Sequence, residues 1–152
     1  LYNVALMANL EIVERHQHGL PVGYVPPSRD ATVYSPTLDF KFKNNRNYPI
    51  KIVTSYSSSG SLNISIYGTK EETEYEVVLS HKYLSTIPFT TKYIYDNTLP
   101  EGTTQIVSAG VNGYTSEGYI TKKLNGVVVS SELLSKDTYK AQQQIVKVGT
   151  KK

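Results

Sequence analysis

One stretch of seventeen residues, 98–114, limits what this chain can fold into more than any other part of the sequence. It carries three glycines, a proline and an Asn-Gly pair, and its apolar run is only Ile106-Val107. Glycine adopts positive φ at no steric cost, whereas proline fixes φ and removes a hydrogen-bond donor. The stretch therefore cannot be a helix and has room for one short strand. We predict a sharply bent connector that sets how the strands at about 73–95 and 115–148 face one another.

Much of the remaining chain alternates apolar and polar residues, which predicts half-buried strands. Residues 38–43 alternate strictly, and residues 48–56 and 62–67 form a predicted hairpin around a Ser-rich turn. Asn125-Gly126 predicts a second hairpin, because this pair favours a two-residue turn with positive φ at both positions. Residues 143–148 form the predicted closing strand.

Residues 2–16 carry the one helical pattern in the sequence. Their apolar side chains form a wide arc, so we predict a single helix that is largely buried. Arg15 and His16 are expected in its last turn, where positive charge suits the helix dipole, and Gly19 and Pro21 would end it. The predicted fold class is therefore mainly β. A small α+β N-terminal part, with one buried helix plus antiparallel strands, precedes an all-β part.

The polar and charged junction near residues 68–72 is the predicted boundary between two parts. It divides the chain into an N-terminal segment, residues 1–69, and a C-terminal segment, residues 70–152. Because the chain starts at Leu1 inside an apolar-periodic pattern, we expect it to be a piece of a longer protein. No apolar run approaches the roughly 18 residues that a transmembrane helix needs. We therefore expect membrane attachment only through a segment outside these residues.

Charge and composition exclude several classes of function. The net charge is +3 and no basic run reaches five residues, so the electrostatic footprint of a nucleic-acid-binding protein is absent. The chain has no cysteine, which excludes disulfides, thiolate metal sites and a cysteine nucleophile within these residues. We predict no cofactor and no metal.

Short motifs follow one another through the C-terminal segment: FTTKY at 89–93, LPEGTT at 99–104, NG at 112–113, NG at 125–126 and VGTK at 148–151. In this order they resemble the G5 domain, a module of bacterial surface proteins, over about residues 71–151. The glycines that match the family's are Gly102, Gly110, Gly113, Gly126 and Gly149. The resemblance implies a thin, elongated all-β module. It also implies adhesion or wall association, with N-acetylglucosamine-containing polymers as the ligand.

A second ordered set of motifs runs through the N-terminal segment: LYNVAL at 1–6, ERHQH at 14–18, PVGYVP at 21–26, RDAT at 29–32 and YPI at 48–50. These residues resemble the C-terminal half of a VanW-like domain, a family found beside glycopeptide-resistance genes whose biochemical role is not established. The family's glycine-rich segment, which contains a Cys, would lie just before Leu1.

His16, His18 and Asp30 are the candidates for polar chemistry. As metal ligands, the two imidazoles and the carboxylate could bind zinc. As catalytic groups, they could supply the base and the orienting residue for the family's Cys at the start of the helix. The interpretation we favour is structural, with His16 at the helix end and Asp30 bonding its own turn.

Tyrosine is the unusual feature of the composition, with 13 Tyr against 3 Phe and no Trp. Tyr suits strands in which one side of the ring packs and the hydroxyl reaches water, and we favour this interpretation. The alternative is an aromatic surface that contacts sugar. Its candidate residues are Tyr93, Tyr95, Tyr114 and Tyr119.

Together the two resemblances imply an extracellular protein of the Gram-positive cell envelope. We expect a non-enzymatic wall-associated or adhesion module whose partner is cell-wall polysaccharide or peptidoglycan. One alternative is a stiff spacer that presents the VanW-like domain. Another is a fragment of a peptidoglycan-acting Cys/His enzyme whose Cys lies before Leu1.

Overall fold

The computed structural model describes the whole chain, residues 1–152, and confirms the predicted mainly β fold class. One helix, α1 (Tyr2–Met7), precedes ten strands: β1 (Glu11–Glu14), β2 (Lys41–Lys43), β3 (Ile50–Tyr56), β4 (Leu62–Gly68), β5 (Glu76–Ile87), β6 (Thr91–Pro100), β7 (Thr104–Ser108), β8 (Gly113–Leu124), β9 (Val127–Tyr139) and β10 (Gln144–Lys151). The structure contains no helix with the length and hydrophobicity that crossing a bilayer requires.

The helix is shorter than predicted, because it ends at Met7 rather than at residue 16. Asn9 adopts a φ of 55°, the left-handed conformation that stops a helix, and Asn is the residue after Gly that tolerates it best. The chain then continues as β1, which pairs antiparallel with β2. Arg15 and His16 therefore follow a strand and do not lie in a last helical turn.

The apolar arc that suggested one long helix divides between two elements. In α1 the buried residues are Tyr2, Ala5 and Leu6, as a buried helix requires. In β1, Ile12 is half-buried whereas Val13 is 59% exposed, which is the alternation of a strand. The spacing of apolar residues at 11–14 fits either a helix or a strand. Backbone pairing with β2 makes this stretch a strand.

Residues 38–43, which include β2, follow the predicted alternation, whereas six of the seven residues of β3 are exposed. Leu38, Phe40 and Phe42 are half-buried, whereas the residues between them are exposed. β3 and β4 form the predicted hairpin, paired in register from Ile50 with Gly68 to Tyr56 with Leu62.

The C-terminal segment consists of two three-stranded sheets that share short connections. The first has the order β5-β8-β9 and is antiparallel throughout, and the second has the order β6-β10-β7. β5 continues into β6, β7 into β8, and β9 into β10. Because β6 and β10 both run away from the first sheet, they pair in parallel with each other. β10 also pairs antiparallel with β7, so it occupies the middle of its sheet.

The glycine-rich stretch 98–114 is the connector that this topology needs. It contains the end of β6, one short complete strand (β7) and the entry into β8. The chain leaves the first sheet on β6 and returns to it through β7. The stretch therefore sets how the two sheets follow one another, as predicted.

Few side chains are fully removed from solvent, because each sheet has only two or three strands and little of its surface is covered. Only 13 of 152 residues are buried, and the buried apolar ones are Tyr2, Ala5, Leu6, Leu10, Tyr139 and Val146. Four polar residues are also buried: Ser28, Asp30, Ser116 and Asp137. Buried polar groups are usually rare and paired, so this set marks the first place to search for a site.

Candidate functional site

The buried polar residues meet in one cluster between the two segments, which we call the polar lock. Its members are Arg15, Ser28 and Asp30 of the N-terminal segment and Ser116, Asp137 and Tyr139 of the C-terminal segment. β8 and β9 present the last three side chains on the first sheet. No buried side-chain nitrogen or oxygen lacks a hydrogen-bond partner. The lock is thus a fully satisfied network across the predicted boundary.

Arg15 is the cation of the lock. One guanidinium nitrogen donates to Asp137 Oδ1 at 2.6 Å, and another lies 3.1 Å from Asp30 Oδ1. Its Nε donates to the carbonyl oxygen of Asp30 at 2.8 Å, and its guanidinium lies 5.3 Å from the ring centre of Tyr2. The Arg15 side chain is only 8% exposed. A guanidinium can hold two carboxylates in one plane, which a lysine at this position could not do.

Asp30 is the acceptor around which the N-terminal part of the lock is arranged. Its Oδ1 accepts from Arg15 and from the hydroxyl of Tyr139. Its Oδ2 accepts from the backbone N–H of His18 at 2.7 Å and lies 2.8 Å from His18 Nδ1. Four donors on one carboxylate compensate the cost of burying its charge.

Ser28 and Ser116 complete the contact between the segments. Their hydroxyl oxygens are 2.7 Å apart, and both residues are 0% exposed. The backbone N–H of Ser28 donates to the hydroxyl oxygen of Tyr139 at 3.0 Å. Tyr139 therefore accepts from Ser28 and donates to Asp30 with the same oxygen.

The titration behaviour of the lock follows from these bonds. Burial raises the pKa of Asp30, but the hydrogen bonds from Tyr139 and His18 and the charge of Arg15 outweigh burial, so its pKa lies below the ordinary value. Burial, together with the bond to Asp30, raises the pKa of Tyr139. Burial lowers the pKa of Arg15, and the bond to Asp137 and its charge more than reverse this. Asp30 is therefore a charged acceptor and Tyr139 a donor at neutral pH.

His18 lies at the solvent edge of the lock. Its side chain is 26% exposed, and Nδ1 faces Asp30 while Nε2 lies 3.3 Å from the hydroxyl of Tyr24. The buried carboxylate selects the imidazole form that carries its proton on Nδ1. Nε2 is then the basic nitrogen, which is the arrangement of a base held by an orienting carboxylate.

The structure brings together only two of the three predicted polar candidates. His18 and Asp30 are in contact, but the imidazole of His16 turns to Glu14, with 3.1 Å between Nε2 and Oε1. The prediction that Asp30 bonds its own turn is wrong, because its side-chain partners are Arg15, His18 and Tyr139, which are at least 12 positions away. No group of three or more His, Cys, Asp or Glu side chains is arranged to hold a metal ion, so the zinc interpretation lacks a third ligand.

A cleft of about 250 Å³ lies beside the lock, between α1 and the loop that follows β1. Seven of its ten lining residues are hydrophobic, among them Tyr2, Tyr24, Val33 and Phe40. Arg29 lies in the same wall. The cleft thus combines apolar surface with the positive charge of Arg29, and the buried carboxylate of Asp30, engaged in the lock, also belongs to its lining.

The four candidate tyrosines do not form one surface. Tyr93 and Tyr95 lie on β6 and are 61% and 76% exposed. Tyr114, on β8, is packed between Tyr83 and Tyr139, with ring centres 5.3 and 4.7 Å away. Tyr119 is half-buried and donates to Glu117 at 2.5 Å. Only the pair on β6 offers free ring faces.

The family-motif glycines share one property, which is that a side chain would be costly at each of them. Gly102 and Gly126 adopt positive φ. There is no space for a Cβ at Gly110, Gly113 or Gly149. Asn125 and Gly126 have φ of 51° and 81°, so they form the predicted two-residue turn. A Cβ at Gly149 would overlap the carbonyl oxygen of Pro100.

The chain belongs to the G5 domain family, whose model matches residues 69–151, and the model described as VanW like protein matches residues 1–67. This confirms the predicted arrangement. The Uncharacterized protein YoaR of Bacillus subtilis (strain 168) is 42% identical over 69 residues, which are 45% of this chain and 22% of YoaR. The chain therefore spans about a fifth of that relative's length.

Two solved structures are similar to about half of the chain. The IgA1 protease G5 domain is 27% identical, covers 53% of this chain and 98% of its own, and has a TM-score of 0.34. HP0197-G5 is 24% identical, covers 49% of this chain and 99% of its own, and has a TM-score of 0.29. Membership of the G5 family, together with the match to the VanW like protein model, suggests a cell-wall-associated module, and the G5 part is a non-catalytic domain.

Sequence reasoning missed most of the polar lock. Sequence patterns place Arg15 at a helix end, and no pattern singles out Ser28, Ser116, Asp137 or Tyr139. The partners are far apart in the chain, with Arg15 and Asp137 separated by 122 positions. No local pattern reports a contact of that separation, so only the folded arrangement of the segments reveals it.

Proposed function

We propose that this chain is a non-enzymatic module of the cell envelope, outside the cell, that binds wall polysaccharide or peptidoglycan through the face of the β6-β10-β7 sheet that carries Tyr93 and Tyr95. The observation that carries the proposal is the exposure of Tyr93 and Tyr95 on a strand that forms the edge of that sheet. N-acetylglucosamine-containing polymers are the proposed ligand class, and a Gram-positive envelope is the proposed setting.

The register of the sheet describes the proposed binding face. Tyr93 and Tyr95 are two positions apart on β6, so they share a face and lie about 7 Å from each other along the strand. Tyr93 is opposite Val146, which is opposite Ile106 on β7, and Ile106 is 62% exposed. This row is apolar: Val146 in the middle of it is buried, whereas the side chains on the two outer strands are exposed, with phenol hydroxyls at the margin. The apolar side of a pyranose ring fits such rings, and the hydroxyls can bond to its rim.

The test is co-sedimentation of the protein with insoluble peptidoglycan at low salt and at about 0.5 M salt, where charge attraction beyond a few ångströms is screened. We expect binding that resists high salt. We expect the double variant Tyr93→Ala/Tyr95→Ala to lose at least about tenfold in affinity, since each tyrosine offers a large contact area.

The matched control is Tyr56→Ala/Tyr67→Ala. These tyrosines lie on the β3-β4 hairpin and are 73% and 60% exposed, so the change in composition and exposure is the same. Equal loss in both double variants would point to nonspecific adsorption. Pelleting that disappears at high salt in the unmodified protein would contradict the proposal.

A stiff spacer is a second candidate function, and the polar lock favours it. Arg15 and Asp30 meet Asp137 and Tyr139 in a buried network, so the two segments cannot swing freely about their junction. A second contact across the boundary joins the guanidinium of Arg46 to Glu74. The spacer predicts no saccharide affinity at any salt concentration, which the sedimentation experiment distinguishes from the first proposal.

A Cys/His enzyme is a third candidate, favoured by the contact between Asp30 and the Nδ1 of His18. The pair supplies the base and the orienting group, and the nucleophile would come from the family's Cys before Leu1. In a parent protein that includes this Cys, His18→Asn should abolish release of peptidoglycan fragments. His16→Asn should leave the release unchanged, because His16 does not contact Asp30. Equal activity of both variants would exclude this role of His18.

A further inference from the structure

Arg29 differs from the other two arginines of the chain in having no acidic partner. Arg15 lies within 3.1 Å of carboxylate oxygens of Asp30 and Asp137, and Arg46 bonds Glu74. The guanidinium of Arg29 donates only to neutral acceptors, namely Asn3 Oδ1 at 2.5 Å and the carbonyl oxygen of Leu79 at 3.1 Å. Its remaining guanidinium nitrogen, Nη2, has no bond within the protein.

The surroundings of Arg29 increase the cost of this unpaired charge. It is half-buried, and burial lowers its pKa. The neighbouring carboxylate of Asp30 is already engaged by Arg15, His18 and Tyr139. A guanidinium that is partly desolvated and faces an apolar cleft gains most from an anion that enters with an apolar group attached.

The shape and rim of the cleft limit what that anion can be. Tyr2, Val33 and Phe40 provide apolar walls, and the volume of about 250 Å³ suits a small molecule rather than a polymer chain. Tyr24 stands in the lining with its hydroxyl 3.3 Å from His18 Nε2, so a polar pair is available for an amide. A carboxylate, an apolar side chain and an amide occur together in the C-terminal residue of a peptide.

We propose that this cleft binds the C-terminal residue of a peptide, with Arg29 holding the carboxylate and the walls formed by Tyr2, Val33 and Phe40 holding an apolar side chain. The site lies on the N-terminal segment and is separate from the tyrosine face of β6. It is therefore independent of the saccharide proposal, and either one can fail without the other.

The test is a titration of residues 1–152 with N-acetylleucine, followed by amide NMR shifts of the cleft residues Asn3, Val25 and Ala31. For this titration the N-terminal amino group is acetylated beforehand. Leu1 lines the cleft, and its free amino group would add a second positive charge there. We expect saturable shifts at these amides. N-acetylleucinamide, which lacks the carboxylate, should bind at least about tenfold more weakly.

Two variants test the role of the charge. Arg29→Gln removes it, and Val33→Asp brings a carboxylate to a cleft position that is 62% exposed, so folding is not at risk. Both should weaken binding at least about tenfold, whereas Lys51→Gln, which removes one positive charge from an exposed site on β3, should not.

Saturable binding that Val33→Asp leaves unchanged would overturn the proposal. Equal binding of the carboxamide, tighter binding of hexanoate than of N-acetylleucine, or no shifts at all would overturn it too.

Discussion

At the scale of single residues, one phenol oxygen joins the two halves of the molecule. The hydroxyl of Tyr139 accepts from the backbone of Ser28 and donates to Asp30. Tyr139→Phe keeps the ring packed against Tyr114 but leaves a buried N–H without its acceptor and a carboxylate with one donor fewer. We expect a loss of about 1–3 kcal/mol in the free energy of unfolding, measured by urea denaturation.

The control for this variant is Tyr119→Phe. Tyr119 is half-buried and its hydroxyl bonds Glu117 at the surface, where water can replace it. We expect a change of about 0.5 kcal/mol or less. If the two variants are destabilised equally, the lock contributes nothing beyond an ordinary tyrosine contact.

The pH dependence of stability follows from the lowered pKa of Asp30. An unfolded Asp titrates near 3.9, so the folded state binds this proton less readily than the unfolded state does. The stabilisation from Asp30 is therefore complete above about pH 5 and is lost as the pH falls through the unfolded and then the folded pKa. Urea denaturation between pH 7 and pH 3 should show this decline.

Tyr139→Phe should make that decline shallower, because it removes the side-chain bond that does most to lower the pKa of Asp30. The exposed carboxylates titrate in the same way in the unmodified protein and in Tyr139→Phe. The difference between the two pH dependences therefore reports on Asp30. An unchanged slope would show that the acid sensitivity arises elsewhere.

At the scale of elements, a close backbone approach near the end of β10 decides whether the second sheet can form. Gly149 donates its N–H to the carbonyl oxygen of Thr103 at 2.8 Å, and a Cβ there would overlap the carbonyl oxygen of Pro100. Gly149→Ala should therefore force β10 away from the end of β6. We expect a loss of about 2 kcal/mol or more in the free energy of unfolding.

Gly23→Ala is the matched control, since nothing lies within 4 Å of a Cβ at that position. It should leave stability unchanged or slightly increased, because alanine restricts the unfolded chain. Thermal unfolding of the two variants side by side separates the steric effect from the general effect of replacing glycine. Similar melting temperatures would contradict the assigned close approach.

At the scale of the whole molecule, the polar lock predicts that both segments unfold together. We expect a single calorimetric transition for residues 1–152, with equal calorimetric and van't Hoff enthalpies. Arg15→Ala leaves Asp30 and Asp137 buried without their cation and should cost about 3–5 kcal/mol. It should also separate the unfolding of the N-terminal segment from that of the first sheet.

The control is Lys41→Ala, which removes an exposed ion pair with Glu14 within the N-terminal segment. Surface pairs of this kind contribute about 1 kcal/mol or less. Two separate transitions in the unmodified protein would show that the lock does not couple the segments. The cooperativity argument would then fail even if Tyr139→Phe behaves as expected.

Local patterns predicted those elements whose formation depends on neighbours in sequence. The β3-β4 hairpin, the Asn125-Gly126 turn and the bent stretch 98–114 all rest on alternation or on backbone angles that a few residues determine. Helix α1 is the element for which the local pattern predicted the wrong end, because the helix stops at Met7. Apolar spacing fitted both a helix and a strand beyond residue 9, and the pairing of β1 with β2, about 30 positions away, decided between them.

Local residue patterns suffice to predict the mainly β class, the glycine-dependent turns and the two family resemblances, because these depend on residues that are close together in the chain. Tertiary structure alone decided the end of α1, the exposure that separates Tyr93 and Tyr95 from Tyr114, and the polar lock. It also left Arg29 without an acidic partner in the cleft. These features depend on which distant side chains meet and how much water is excluded. Burial and pairing are properties of the folded chain, and no short stretch of sequence contains them.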